Sequence, residues 1–171
     1  MRCVYLFGDF MTKNMAPEKM LADKAVVALG LPAVDQIGFV VKDLAAAIAT
    51  YQPIFGPFSV MEPGEMEFEY RGRSEKSELK LAFARSGEVE IELIEWVSGE
   101  TPHKEFLAAG REGMHHLRFI VEDIDSKVSE AEALGYRNIW HKKFSPGLAA
   151  AYLEREGDPL LLEFFQRPET L

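Results

Sequence analysis

The chain has 171 residues, 47% hydrophobic and 27% charged, with a mean hydropathy of −0.10; this excludes disordered and fibrous classes and suits one domain, or two small halves sharing a sheet. Nineteen Lys and Arg against 28 Asp and Glu leave a net charge of −9, the wrong sign for a nucleic-acid binder, whose affinity comes mainly from neutralising phosphates. The single cysteine, Cys3, has no partner for an internal disulfide, so a cytoplasmic location is expected.

Met1–Gly8 offers only the apolar stretch Cys3–Phe7 before Asp9 and Lys13 intervene, too short for the apolar region of a signal peptide. The apolar run Ala25–Val34 contains a glycine and a proline, so no membrane span is expected. Residues 1–32 read as an N-terminal extension. Within it Met20, Leu21, Lys24, Val27 and Ala28 fit a short helix over Pro17–Leu29, ended by Gly30 and Pro32. A packing or lid element and a loosely attached tail are both open readings of this arm.

From Ala33 onward the chain repeats itself. Val34–Leu44 aligns without gaps on Met114–Ile124, an offset of 80 residues that equates Gln36 with His116. Asp43 and Asp123 are N-cap residues for two helices: Leu44, Ile48 and Tyr51 mark the first, Ile124, Val128, Ala131 and Leu134 the second, with Gly56 and Gly135 as stops. Strands are expected at Phe58–Met61, Met66–Arg71, Leu79–Ala84 and Glu88–Val97, and again at Arg137–Lys142, Ala149–Leu153 and Leu160–Gln166. A long loop, Pro102–Gly113, joins the halves. The expected class is α+β: two modules of one strand, one helix and about three strands, residues 33–100 and 112–166, inside a domain of residues 33–171.

Side chains two apart share a strand face, so each repeated strand splits into a core face and an opposite one. Ile37, Phe39 and Val41, with Leu117, Phe119 and Val121, are the faces a helix would cover. The opposite faces are led by Gln36 and His116. In the last strands, Ile91 and Leu93 oppose Glu90 and Glu92, while Leu162 and Phe164 oppose Leu161, Glu163 and Phe165. Glu163 is flanked by apolar residues, and an unpaired buried carboxylate costs several kcal/mol, so it needs a cation, a shared proton or a metal. Taken singly, Gln36 reads as a surface or hydrogen-bonded residue, His116 as a structural histidine, and Glu88, Glu90 and Glu92 as a solvated strand face. Equated by the repeat and placed opposite the cores, Gln36, Glu92, His116 and Glu163 make three oxygen donors and one nitrogen.

These segments, Val34–Leu44, Ile91–Glu95, Gly113–Phe119 and Leu162–Phe164, resemble the vicinal oxygen chelate superfamily of lactoylglutathione lyases, methylmalonyl-CoA epimerases and extradiol dioxygenases. The resemblance covers about residues 34–166. It implies two βαβββ modules forming a curved mixed sheet around one divalent metal, with Gln36, Glu92, His116 and Glu163 as ligands. Thr101–Leu107 looks most like the epimerase branch. Gln36 departs from the histidine usual there, and Arg118 stands where epimerase-like members carry a small residue; it either holds an anionic substrate group or neutralises a ligand carboxylate.

One imidazole and three oxygens suit Zn, Ni, Co or Mn, leaving about two positions for water or substrate oxygens. The expected chemistry is an isomerase or lyase of the glyoxalase or epimerase type. It moves a proton next to a carbonyl of a small acid or thioester through a metal-stabilised enolate, with Glu163 as base and Glu92 on the opposite side of the substrate. His115 reads as structural and facing away from the site; Tyr70 and His103 are weaker substrate-contact candidates for which surface roles compete. The alternatives are a metal-free small-molecule binding protein of the same fold and an iron-dependent dioxygenase, the latter disfavoured by a single ligand histidine. A small-molecule substrate and a homodimer are the expected partners.

Overall fold

Both outer helices begin on the expected aspartates. In the computed structural model, which describes residues 29–168, Asp43 Oδ1 accepts a hydrogen bond from Ala46 N (2.9 Å) and Asp123 Oδ1 one from Ser126 N (3.0 Å). Each such cap is worth about 1 kcal/mol. The helices they open are α1, Leu44–Phe55, and α3, Ile124–Glu132. The chain separates into units Met1–Leu31 and Pro32–Leu171, and both helices lie in the second. The helix expected over Pro17–Leu29 lies, but for Leu29, outside the described residues.

The first half contributes β1 (Gln36–Val41), β2 (Ser59–Met61), β3 (Glu65–Tyr70), β4 (Arg73–Ser86) and β5 (Val89–Gly99). The second contributes β6 (Gly113–Ile120), β7 (Tyr136–Ser145), β8 (Leu148–Arg155) and β9 (Leu161–Gln166). Among the described residues these nine strands form one mixed sheet in the order β2-β4-β3-β7-β8-β9-β6-β1-β5, and a further β4–β5 pairing closes it into a barrel-like arrangement. The two halves meet along antiparallel β1–β6 and β3–β7 seams, so neither presents a free edge there.

The repeat persists into the hydrogen bonding. Glu95 Oε2 at the end of β5 accepts from Leu44 N (2.7 Å), and Gln166 Oε1 at the end of β9 accepts from Ile124 N (3.1 Å). On the outside of the first half, Val41, Leu44, Ala47, Ala82 and Leu93 pack together with Phe39 beside them, the helix-covered face read from alternation. Inside the barrel a different set gathers: Val40, Leu79, Leu81, Ile94 and Phe106.

Two local expectations are corrected. The segment read as loop Pro102–Gly113 contains a helix, α2 (Pro102–Ala108), too short to show apolar periodicity; its Thr101 cap hydroxyl bonds the His103 ring instead of the backbone. Strand β4 is not confined to Leu79–Ala84 but begins at Arg73, because its polar start pairs with β3 through a two-residue turn. In that turn Arg71 (φ 49°) and Gly72 (φ 75°) both lie in the left-handed region, as a tight antiparallel hairpin requires. The acids of β5, a solvated face only when read singly, are drawn inward as the repeat requires: Glu92 is buried and Glu90 half-buried.

Arg71 also fastens the hairpin. Its guanidinium makes paired hydrogen bonds to Glu105 on α2 (3.1 and 2.9 Å) and to Glu154 on β8 (both 3.0 Å). Arg71→Ala should destabilise the fold by about 1–3 kcal/mol, read as a lower urea midpoint at unchanged slope, since two bidentate charge-assisted contacts disappear. An unshifted midpoint would show the network to be merely superficial.

Candidate metal centre

Register places the four expected residues by symmetry. Ile37 pairs with Leu117 across the β1–β6 seam, flanked by Gln36↔Arg118 and Gly38↔His116. In the parallel ladders, Gly38 pairs with Glu92 and its repeat-equivalent Arg118 pairs with Glu163. Gln36 and His116 are thus related by a local two-fold, and so are Glu92 and Glu163. All four are buried: Gln36, His116 and Glu163 are 1%, 0% and 7% exposed, Glu92 9%.

Their polar atoms converge on His116 Nε2. Glu163 Oε2 lies 3.0 Å away, Gln36 Oε1 3.3 Å and Glu92 Oε2 3.5 Å. Donor atoms of Glu92, His116 and Glu163 all fall within 4.8 Å of one another. A ring nitrogen carries at most one proton, so it can satisfy one of these oxygens, not three. Glu163 Oε2, close as it is, has no hydrogen bond of acceptable geometry among the described residues. Burial presses the His116 imidazole toward neutrality, but Glu163 and Glu92 outweigh it and raise its pKa to about 9. Burial chiefly pushes the Glu92 carboxyl up, against the opposing pull of His116.

This donor set fits a divalent ion. Two ligands each about 2.1 Å from one ion and at right angles stand about 3.0 Å apart, the scale of the spacings here. Two carboxylates balance a charge of +2.

Neighbouring groups orient the donors. Gln36 Nε2 donates to Glu90 Oε1 (2.8 Å), which turns the amide oxygen toward His116. His116 Nδ1 meets His115 Nδ1 at 3.1 Å. Burial holds the pKa of His115 well below the usual range, so its neutral ring can accept from His116 Nδ1 and leave Nε2 free as a ligand atom. The alternation argument put His115 on the far face. A bulge corrects this: Gly38 pairs with His116 but Phe39 with Met114, so His115 is the extra residue, its ring 5.4 Å from that of His116. His115→Phe should weaken metal binding about 10- to 100-fold by removing that acceptor, measurable by calorimetry; unchanged affinity would assign the ring to packing alone.

His116 in turn owes its seat to Gly38. A Cβ at that position would stand 1.9 Å from His116 Cε1, so the imidazole fills the space of the missing side chain.

A cavity of about 410 Å³ opens onto the cluster, lined by Gln36, Glu92, Glu163, Arg118, His103 and Tyr152 at its polar end. Arg118 does not touch Glu163. Its guanidinium makes its ion pairs with Asp35 (2.8 Å) and Glu90 (3.1 Å), and its charge acts on Glu163 and Glu92 across space without a direct contact. His103 is buried rather than at the surface, with Nδ1 3.0 Å from the Thr101 hydroxyl and Nε2 unpartnered among the described residues. Burial, with the His116 charge, pushes its pKa down to about 3, so it is neutral. Tyr70 is also buried, but among Phe68, Ile139 and Trp140, and does not line the cavity. Tyr152 was not singled out from the sequence. Its register partner is Glu163, which points it into the same cavity, and only the β8–β9 pairing reveals that. A larger cavity of about 700 Å³ beside α2 is reached by His115 but by none of the four clustered residues.

Comparison with known proteins agrees with this architecture. Residues 35–152 match the model of the Glyoxalase/Bleomycin resistance protein/Dioxygenase superfamily. The chain belongs to that superfamily, the vicinal oxygen chelate proteins. It is 28% identical over 86 residues to the uncharacterized protein YqjC of Bacillus subtilis (strain 168), an alignment spanning 50% of this chain and 55% of that relative. Among solved structures, hypothetical protein BH1468 from Bacillus halodurans C-125 is similar at a TM-score of 0.58 with 26% identity, covering 81% of this chain and 96% of that one. Methylmalonyl-CoA epimerase from Mycobacterium tuberculosis gives 0.57 with 18% identity, covering 81% and 90%. A Streptomyces coelicolor methylmalonyl-CoA epimerase variant in complex with 2-nitronate-propionyl-CoA gives 0.55 with 21% identity, covering 82% and 97%. At these identities the two epimerases speak for the shared fold. Among the described residues no helix is long and apolar enough to cross a membrane.

Proposed function

We propose that this protein is a divalent-metal-dependent isomerase or lyase of the glyoxalase or epimerase type, moving a proton at the carbon next to a carbonyl group. The observation that carries this reading is the crowding of three oxygens, two of them from carboxylates, around one buried ring nitrogen. Gln36, Glu92, His116 and Glu163 would hold the ion. When bound, it supplies Lewis acidity to a carbonyl oxygen, favouring charge there.

The remaining work falls to the chain's own groups. Glu163, with an oxygen lacking a hydrogen bond at the cavity, takes the proton from the carbon next to the carbonyl. Glu92, across the local two-fold and with a raised pKa, is suited to deliver a proton to the other face. His103 offers a neutral Nε2 to a substrate oxygen.

Protein purified without chelator is expected to carry close to one divalent ion per chain by elemental analysis. Because the ion competes with the His116 proton, its affinity should rise from pH 6.5 and level off above about 9, with proton release detectable by calorimetry in two buffers. In the chelator-stripped protein the sign reverses: the raised imidazole stabilises the fold fully below its unfolded pKa near 6.5, and that contribution is lost as pH rises through about 9. A chain that takes up no divalent ion at any pH in this window would leave the alternative, a small-molecule binding protein, which the apolar upper cavity favours.

A further inference from the structure

We propose that the part of the substrate entering the cavity is an uncharged carbonyl group bearing an apolar chain or ring, rather than a free carboxylic acid. This deepens the function proposed above and rests on it for the identity of the reacting end. Two independent features of the cavity lead to it.

The first is the wall. Above the polar floor the lining is Met66, Leu79, Leu81, Phe83, Trp140 and Phe165, with no charged group among them. Met61 and Phe144, 47% and 42% exposed, stand at the mouth and extend the apolar surface outward. At roughly 30 Å³ per water-sized unit, 410 Å³ accommodates on the order of a dozen non-hydrogen atoms, enough for a medium alkyl chain or a substituted ring.

The second is charge. Arg118 is the sole lysine or arginine among the described lining residues, and its Nε and Nη2 are already held by Asp35 and Glu90. His103 is neutral. Facing it across the floor are Glu92 and Glu163. Even with a divalent ion balanced by Glu92 and Glu163, Arg118 is outnumbered by its two partners Asp35 and Glu90, so an incoming carboxylate would leave water for a floor that already carries excess negative charge. A neutral carbonyl meets no such penalty, and its hydrocarbon gains by leaving water.

The test is a titration of two ligand series against the metal-loaded Trp96→Phe protein, in which Trp140 in the cavity wall is the one indole left. The first series is straight-chain alkyl hydroxamic acids of two to eight carbons, which present two adjacent oxygens. The second carries the same chains with a terminal carboxylate. A third arm titrates straight-chain methyl ketones into chelator-stripped protein, where no metal is needed for binding.

Affinity for the hydroxamic acids should tighten about fourfold per added methylene until the cavity is full. The terminal carboxylate should cost at least tenfold at equal length. Met61→Glu at the mouth should erase the gain of the longest members while leaving two- and three-carbon ligands unchanged. Should the protein bind no metal while the ketones keep their chain-length dependence, the proton-transfer function falls and the cavity assignment stands. Equal or tighter binding of the carboxylate series, or no chain-length dependence in either the loaded or the stripped protein, overturns the assignment.

Discussion

Proton exchange with solvent at the carbon next to the carbonyl is expected to fall roughly 10²- to 10⁴-fold in Glu163→Gln, the range over which general-base groups contribute. The substitution is nearly isosteric, so β9 keeps its pairing to β6 and β8 and the fold should survive. The amide keeps an oxygen for a metal ion but loses the charge and the proton affinity. Metal binding should weaken without vanishing, and exchange must therefore be followed by deuterium incorporation at saturating metal. A second readout needs no substrate. In stripped protein the His116 imidazole loses one of the two carboxylates that raise its pKa, so its titration by nuclear magnetic resonance should move down from about 9. Unchanged exchange in a variant whose imidazole titration has moved would transfer the base to Glu92.

Gly38→Ala should abolish the metal centre with a single methyl group. The added Cβ would lie 1.9 Å from His116 Cε1, 2.4 Å from Nδ1 and 2.4 Å from Nε2, distances no pair of such atoms tolerates. Either the ring leaves its seat or β1 and β6 part at their bulge. Losing a direct ligand costs more than losing an orienting partner, so metal affinity should drop by more than about 100-fold. Overpacking should cost about 1–3 kcal/mol of stability as well. The double variant Gly38→Ala with His116→Ala separates the two effects: removing the ring relieves the collision, so stability should recover while metal binding does not. Failure of stability to recover would mean that the glycine is required by the strand itself and not by the imidazole.

The two-fold relation explains why this position is a glycine. Gln36 and His116 are equivalents, and so are Gly38 and Arg118. Where His116 leans across the seam, the opposite strand needs an empty position. Where the slimmer, unringed Gln36 stands, its neighbour across the seam can be as large as arginine, and that arginine binds Glu90, the carboxylate that also orients the Gln36 amide. The duplicated halves have diverged into one that supplies the imidazole and one that makes room for it.

The sequence by itself determined the duplication, both helix caps, the alternation of β1 and β9 and the four residues that converge on one nitrogen, because strand period and repeat offset survive as counting rules on a single chain. Only the tertiary structure decided the face of His115, the burial of Tyr70 and His103, the presence of Tyr152 in the cavity and the engagement of Arg118. Each of these depends on a bulge, a cross-strand register or a distant partner, and period-two counting along one strand carries no information about what the neighbouring strand sets opposite it.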